Sequence, residues 1–315
     1  MKNGIVTKSN TNRMRGAAIL FVLLSHITAK ILPLSMARWF TPFGGTGVAV
    51  FLFLSGYGLT IRYKDSLKGY WYNRFMGTFL PYLLLWGATI WMHQYDSFGA
   101  FIADILAIYP QTSYFWYLGY LAIWYIAFFT AHRFLKNPFL RYSFYLLISL
   151  LVLFFGRDLW AEQAFIFPLG CFLSESFEVS QKINNTLAKR AMLFAAAFAL
   201  VGIGCLAVKQ LSIVREAPHV LFALVQMLIK TPLALCVILV SGVITSKTVR
   251  KILSYFGSLS YELYLIHSVT IEMFDHSCID LFVAIPLFAV VTVALSYALK
   301  WLCKGIKGTI KNIGR

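Results

Sequence analysis

The chain has 315 residues, of which 59% are apolar, 17% are aromatic and only 13% are charged. Soluble domains are about 45–50% apolar and about 25% charged, so this composition excludes an ordinary water-soluble domain and a disordered chain. The net charge is +16, which indicates either nucleic-acid binding or a basic membrane protein. The five cysteines show no spacing typical of a zinc site or a disulfide framework, and we expect no metal.

Ten apolar segments of 15 to 29 residues fill the chain. They cover residues 16–34, 46–62, 76–94, 114–132, 142–156, 160–174, 191–208, 218–246, 253–274 and 281–302. A helix needs about 20 residues to cross a bilayer core about 30 Å thick. We therefore predict an all-α, polytopic membrane bundle of about ten transmembrane helices. The predicted organisation is a cytoplasmic tail over 1–14, a single transmembrane domain over 15–304 and a basic cytoplasmic tail over 305–315.

The distribution of basic residues predicts the orientation of the bundle. With the N-terminus inside, 22 of the 28 Lys and Arg residues fall in inside segments, and Lys230 lies within a span. Five lie outside: Lys30, Arg38, Arg157, Lys209 and Arg215. Cytoplasmic loops carry the excess of Lys and Arg, so both termini are predicted to be cytoplasmic. The same bias accounts for the net charge of +16 as a property of a protein oriented in a lipid bilayer. Nucleic-acid binding is therefore not needed to explain the charge.

The first span carries a cation and an imidazole on one face. Arg15 and His26 are eleven residues apart, which is about 20° past three helical turns and about 16 Å along the axis. Ionisable groups inside a span are costly and commonly mark a site. Imidazole is the natural general base near neutral pH. The pattern predicts either that His26 acts as that base or that it is a histidine hydrogen-bonded to a neighbouring helix for packing.

A second polar stripe lies on a later span. Ser260, Tyr264 and His267 stand at i, i+4 and i+7, on one helical face. The stripe predicts either a lined cavity or a hydrogen-bonded seam between helices. If the stripe lines a cavity, Tyr264 or His267 would polarise or orient a substrate there. Glu262 points elsewhere on the same helix, where it could neutralise a basic partner.

Lys230 is the remaining charge within an apolar segment. The segment 218–246 is about 44 Å long as a helix, so we expect it to be tilted or broken near Pro232. Lys230 could hold an anionic group of a substrate, or it could form an ion pair with Glu262.

Other patterns are interpreted as packing. The run Ser55-Gly56-Tyr57-Gly58 lacks the setting of a serine nucleophile, and we assign its small residues to close helix packing. Aromatic residues at the ends of spans are assigned mainly to anchoring at the membrane interface: Trp71, Tyr72, Trp91, Tyr114, Trp116, Tyr117 and Trp301.

Four segments together resemble the acyltransferase-3 family of integral membrane O-acyltransferases. The run RGAAILFVLLSH over 15–26 looks like the signature of that family's first helix. The run GVAVFLFLSGY over 47–57 resembles its second-helix motif, and FWYL over 115–118 resembles an aromatic motif. The run SYELYLIH over 260–267 resembles its S-Y-x-x-Y-L-x-H pattern. The motifs occur in the family's order and cover most of the chain.

The resemblance implies transfer of an acyl group, usually acetyl, from cytosolic acyl-CoA to a hydroxyl of a cell-surface or envelope polysaccharide or glycolipid. It implies that His26 is the essential catalytic residue and that Arg15 is its partner. The implied location is the plasma or inner membrane, with several passes. The expected partners are acyl-CoA, most simply acetyl-CoA, and a glycan or a lipid-linked sugar.

One departure from the family concerns the donor site. The family carries paired arginines, R-x-x-R, at the start of its third helix before a proline. Arg74 matches the first arginine and Pro81 is kept, but Gly77 or Thr78 stands where the second would fall. We therefore expect the phosphates of acyl-CoA to lie near Arg15, Arg62 and Arg74.

Two rival functions remain open at this stage. The first is a transporter or flippase for a polyprenyl-linked sugar, because polar residues at mid-membrane depth serve translocation equally well. The second is an acceptor-binding relative that has lost catalysis, which the missing second arginine suggests. A transporter would leave the mass of the glycan unchanged, and turnover of acyl-CoA would exclude the inactive relative.

The basic-residue count yields a direct test of topology. A reporter protein that is active only in the cytosol should be active when it is fused after Arg315, because this terminus is predicted to be cytoplasmic. Activity of a reporter that works only outside the membrane would overturn the ten-span arrangement.

Overall fold

The structure is a computed structural model that describes residues 6–30, 34–110, 113–179, 186, 188–275 and 281–313. The described residues are 86% helical, and no strand occurs among them. The prediction of an all-α protein is therefore confirmed.

The helices of the first half are α1 (Lys8–Lys30), α2 (Leu34–Arg62), α3 (Tyr70–Arg74), α4 (Leu80–Thr89), α5 (Phe98–Ile105), α6 (Trp116–Phe134) and α7 (Pro138–Phe155). Those of the second half are α8 (Asp158–Ala161), α9 (Ile166–Val179), α10 (Ala191–Val208), α11 (Ser212–Arg215), α12 (His219–Val243), α13 (Lys247–Ser258), α14 (Ser260–Asp275) and α15 (Leu281–Ile313). A π-helical segment over Phe75–Phe79 joins α3 to α4, and short 3₁₀ turns cover Ile90–Met92 and Ser113–Phe115.

Within the described residues, six helical segments are long and apolar enough to cross a membrane. They are Phe40–Arg62, Tyr70–Met92, Pro138–Phe155, Ala191–Val208, His219–Val243 and Phe282–Ile310. Two of the other predicted spans are short as helices, because α9 has 14 residues and α14 has 16. At 1.5 Å per residue these helices are about 21 and 24 Å long, less than the bilayer core. The count of ten spans and the cytoplasmic termini stay predictions.

Several boundaries differ from the sequence-based ones. The predicted span 253–274 divides into the two helices α13 and α14, and α5 lies where no helix was expected. Apolar content alone did not show the boundary between α13 and α14. The helix α13 is amphipathic and carries cations at its start. Of the two alternatives for 218–246, a tilt or a break near Pro232, the break is wrong, because α12 continues through this residue. The helices α1 and α15 also extend into the predicted tails, beginning at Lys8 and ending at Ile313.

The chain folds as two compact units. The first comprises Met1–Val22, Pro42–Leu67 and Trp124–Ser258. The second comprises Leu23–Thr41, Lys68–Ile123 and Leu259–Arg315. Each of α1, α2 and α6 has residues in both units.

The first unit contains a close crossing of α2 and α9. A Cβ added at Gly56 would lie 2.3 Å from the carbonyl oxygen of Phe167, and one added at Gly170 would lie 2.2 Å from that of Phe53. Only glycine allows the two backbones to approach this closely. The ring of Trp124 stacks on Phe167 at a centroid distance of 5.1 Å and extends this buried contact. The assignment of the small residues of 55–58 to helix packing is confirmed at Gly56 and is wrong at Gly58, where an added Cβ would meet nothing within 4 Å.

The second unit is organised around the pair α14 and α15, which pack along each other. Thr270 on α14 and Thr292 on α15 share a hydrogen bond of 2.8 Å between their buried hydroxyls. This seam fixes the rotation of α14 about its axis, and with it the direction in which the polar residues of that helix point.

Candidate active site

His26 lies near the C-terminal end of α1, within the second unit. Its ring centroid is 5.1 Å from that of His267 on α14 and 4.6 Å from that of Tyr114, which it meets edge-on. The neighbouring Ser25 donates a 2.9 Å hydrogen bond from its hydroxyl to the carbonyl of Thr41, which holds this part of α1 in place. The structure thus brings His26 and His267 together from segments about 240 residues apart in the sequence.

His267 is fully buried, and its hydrogen bonding defines its tautomer. Its Nδ1 lies 3.1 Å from the backbone carbonyl oxygen of Leu263. A carbonyl only accepts, so Nδ1 carries the proton and Nε2 carries a lone pair. That Nε2 is buried and has no hydrogen-bond partner among the described residues. A buried polar atom without a partner is costly, and the natural occupant is a donor group of a substrate or a water.

Tyr264 occupies the same buried face of α14, one turn before His267. Its hydroxyl donates a hydrogen bond to the backbone carbonyl of Tyr114. Its ring packs edge-on against Tyr117, at 5.4 Å, and lies 5.7 Å from the ring of His267. With its proton committed to a backbone carbonyl, the Tyr264 hydroxyl positions the turn that carries Tyr114.

Tyr114 is the residue that sequence reasoning did not assign to the site. Its position at the start of a span predicted an interface anchor, whereas its ring contacts both His26 and His267. The signal that could have found it is its position immediately before the FWYL motif.

The comparison with known proteins is decisive for the family. A family model described as an acyltransferase domain, Acyl_transf_3, matches residues 10–301 of the chain. The chain belongs to the acyltransferase-3 family. No curated protein and no solved structure matches the chain. The matched range contains both histidines. The family match and the apolar helices together indicate a multi-pass membrane acyltransferase.

The three arginines predicted to hold the donor are divided between the two units of the acyltransferase. Arg15, which is exposed on α1, and Arg62, the last residue of α2, belong to the first unit. Arg74, the last residue of α3, belongs to the second unit together with the two histidines. The second unit therefore contains His26, His267 and Tyr264. Of the three arginines, Arg74 lies in this unit with them.

The π-helical segment after Arg74 decides which position could carry the family's second arginine. Thr78 is buried, and its backbone carbonyl accepts a 2.5 Å hydrogen bond from the Tyr261 hydroxyl on α14. Gly77 is exposed, and a Cβ added there would meet nothing within 4 Å. The π geometry itself is marked by the bond from the N–H of Leu80 to the carbonyl of Phe75. Gly77, three residues after Arg74, is thus the open position.

Lys230 forms an ion pair, but not with the residue considered in the sequence. Its ammonium contacts the carboxylate of Glu162, which follows α8 in the first unit, and both side chains are buried. Glu262 belongs to the second unit, where Lys300 and Lys307 attract its carboxylate. The pairing with Glu262 is therefore wrong. Removal of one member of a buried pair strands the other charge, so Lys230 and Glu162 act as a structural unit.

The hydrogen bond from Tyr264 yields a test of its positioning role. Tyr264→Phe keeps the packing and removes the bond to the Tyr114 carbonyl, which is worth about 0.5–1.5 kcal/mol. We expect acyl transfer per inserted molecule to fall about 2–10-fold, because Tyr114 is then less firmly held beside His26.

Tyr261→Phe is the matched control, since it removes a hydroxyl bond to a backbone carbonyl from the same helix, three residues earlier. It should keep activity within about twofold. Equal losses in the two variants would show that Tyr264 has no special relation to the site.

Proposed function

We propose that this acyltransferase moves an acyl group, acetyl in the simplest case, from cytosolic acyl-CoA to a hydroxyl of a cell-surface or envelope polysaccharide or glycolipid. We propose that the enzyme lies in the plasma or inner membrane. The observation that carries the proposal is the pair of imidazoles of His26 and His267, with a buried, unpartnered nitrogen on the second. Acyl transfer to a hydroxyl needs a group that takes a proton at that point.

His26 is the general base in this proposal. Its side chain is only partly buried, so a substrate can reach its ring. As the acceptor hydroxyl attacks the thioester carbonyl carbon, its proton moves to the imidazole and a C–O bond forms. The C–S bond then breaks, the electron pair leaves with the CoA sulfur, and the imidazolium returns its proton to that thiolate. The products are the O-acyl ester and free CoA thiol, and the imidazole ends neutral.

His267 assists as a hydrogen-bond acceptor. The lone pair on its Nε2 can accept from the acceptor hydroxyl or from the N–H of a protonated His26. The first interaction orients the nucleophile, and the second stabilises the imidazolium that forms during the attack. Tyr114 lies against both rings and limits their rotation. These roles need no acyl-enzyme, although a two-step route through one is compatible with the same residues.

The donor is proposed to rest its phosphates on Arg74, with Arg15 and Arg62 as further cations. Arginine forms bidentate, charge-assisted hydrogen bonds with phosphate groups. Arg74 supports this proposal because it belongs to the same unit as the two histidines. The distribution of basic residues supports this proposal, because it predicts that these cations lie on the cytoplasmic side, where acyl-CoA is found.

Substitution of His26 tests the proposed chemistry. We expect His26→Ala to lower glycan acylation by about 10²–10⁴-fold, the usual contribution of a positioned general base. His26→Gln should lose as much, because glutamine keeps a hydrogen-bonding side chain but takes no proton near neutral pH. The assay is acylation of envelope glycan per unit of inserted protein, in a strain that lacks the native copy. Near-normal acylation by the Gln variant would refute the assignment.

The open position at Gly77 tests the donor site. Arg74→Ala should weaken acetyl-CoA binding about tenfold or more, since a hydrogen bond to a charged group is worth about 1.5–3 kcal/mol. Gly77→Arg restores the R-x-x-R spacing in open space and should tighten binding by a similar factor. Calorimetry on protein in nanodiscs measures both.

The control is Gly308→Arg, which adds the same charge at another glycine whose added Cβ meets nothing within 4 Å. It should leave acetyl-CoA affinity unchanged. If Gly308→Arg tightens acetyl-CoA binding as strongly as Gly77→Arg does, the effect is a general one of added charge. If the affinity for acetyl-CoA is unchanged in both Arg74→Ala and Gly77→Arg, the donor does not bind at this place.

A further inference from the structure

The helix α13, in the first unit, has a basic face and an apolar face. Its cations Lys247, Arg250 and Lys251 stand at i, i+3 and i+4, on one side of the helix, and all three side chains are exposed. Val249 and Ile252, which are 41% and 47% exposed, lie about 140–200° around the helix from Lys247. Both faces are therefore open at the surface of the described part of the chain.

The cations of α13 lack a counter-charge within the described residues. No acidic side chain there forms an ion pair with any of the three. The sequence has no Asp or Glu between Glu216 and Glu262, so the charge of α13 and of the chain around it is purely basic. Charge of one sign on an exposed face attracts anions from outside the chain.

A third side of α13 packs against the start of α1, within the same unit. A Cβ added at Gly16 on α1 would collide with the carbonyl oxygen of Leu253, and one added at Gly257 would collide with that of Asn12. Small residues at a helix crossing allow the two backbones to approach this closely. The contact fixes the rotation of α13 about its axis, so its basic and apolar faces keep their directions.

The position of α13 in the chain indicates where the helix lies. The preceding helix α12 is about 38 Å long and apolar enough to cross a bilayer core about 30 Å thick. Only residues 244–246 separate the two helices, so α13 begins at most about 14 Å from the end of α12. Arg13 on α1 donates a 3.3 Å hydrogen bond to the carbonyl of Ile244 and holds this connection. A basic amphipathic helix next to a membrane-spanning one is typical of a helix that lies in the membrane interface.

We propose that α13 lies along the membrane surface and binds the phosphate groups of anionic phospholipids. Lys247, Arg250 and Lys251 contact the headgroups, because Lys and Arg form charge-assisted hydrogen bonds with phosphate. Val249 and Ile252 enter the boundary between headgroups and acyl chains. A helix with three cations and no acidic residue repels the same face of a second copy, so lipid is the occupant that complements both faces. This inference does not depend on the proposed acyl transfer.

The test identifies what lies against the apolar face. The photoreactive residue benzoylphenylalanine replaces Ile252 in the full chain, which is reconstituted in vesicles of equal parts phosphatidylglycerol and phosphatidylcholine. After irradiation, mass spectrometry identifies the crosslinked species. We expect adducts in which phosphatidylglycerol exceeds phosphatidylcholine at least about fivefold, the usual effect of one cation at an anionic membrane surface. High salt should remove most of this preference, because it screens exposed charges.

Removal of the cations tests their part in the preference. A chain that combines Lys247→Gln, Arg250→Gln and Lys251→Gln should capture the two lipids in a ratio close to one, since the apolar face is kept and the charge is lost. The matched control changes three other exposed cations of the first unit to Gln: Lys136, Lys189 and Arg190. This control should keep the preference for phosphatidylglycerol.

Benzoylphenylalanine in place of Ile203 is the control for position, since Ile203 is an exposed residue within the membrane-length helix α10. It should capture the two phospholipids equally. The proposal is overturned if the residue at position 252 captures a second copy of the chain or no lipid, if it captures the two lipids equally, or if the Gln variant keeps the preference. The salt measurement uses the unaltered cations, so it decides the matter even if the Gln variant fails to insert. A preference that persists in high salt would also overturn the proposal.

Discussion

The hydrogen bond between Nδ1 of His267 and the carbonyl of Leu263 determines what the site can do. The bond runs within α14, so it forms whenever that helix folds. It places the single proton of the neutral imidazole on Nδ1 and leaves a lone pair on Nε2, in a fully buried place without a partner among the described residues. The ring of His26 lies 5.1 Å from that of His267, centroid to centroid. The two rings together provide a proton acceptor and a hydrogen-bond acceptor. The direction of α14, set by its seam with α15, is thus directly linked to the chemistry.

Part of this arrangement could be predicted from the sequence, because it depends on local patterns. Apolar segments of membrane-spanning length indicate helices, since backbone polar groups in lipid need partners within the segment. The i, i+4, i+7 spacing that ends at His267 placed Ser260, Tyr264 and His267 on one face, and all three are buried. Gly56 between small and apolar residues indicated close packing, and the crossing of α2 and α9 shows it.

Other features depend on contacts between distant segments, and no local pattern encodes these. The partner of Lys230 is Glu162, which lies 68 residues away, whereas the sequence alone offered Glu262 as one of several alternatives. In the sequence, Tyr114 is an aromatic residue at the start of a predicted span. Its link to the site depends on the distant helix α14, whose Tyr264 hydroxyl donates a hydrogen bond to the backbone carbonyl of Tyr114. The helix α5 is short, and its anchor is the single buried carboxylate of Asp104, so hydropathy along the chain gives no sign of it.

The most direct test of the account is acetyl transfer by the purified chain when His267 is changed. The wild-type protein in proteoliposomes, given labelled acetyl-CoA and unacylated envelope polysaccharide, should release CoA thiol in step with label gained by the polysaccharide. His267→Ala removes the imidazole and with it the hydrogen-bond acceptor at Nε2. This variant should bind acetyl-CoA normally and lose at least about tenfold in kcat, because the nucleophile and the imidazolium of His26 lose that partner. Transfer at the wild-type rate by His267→Ala would contradict the central role of the imidazole pair.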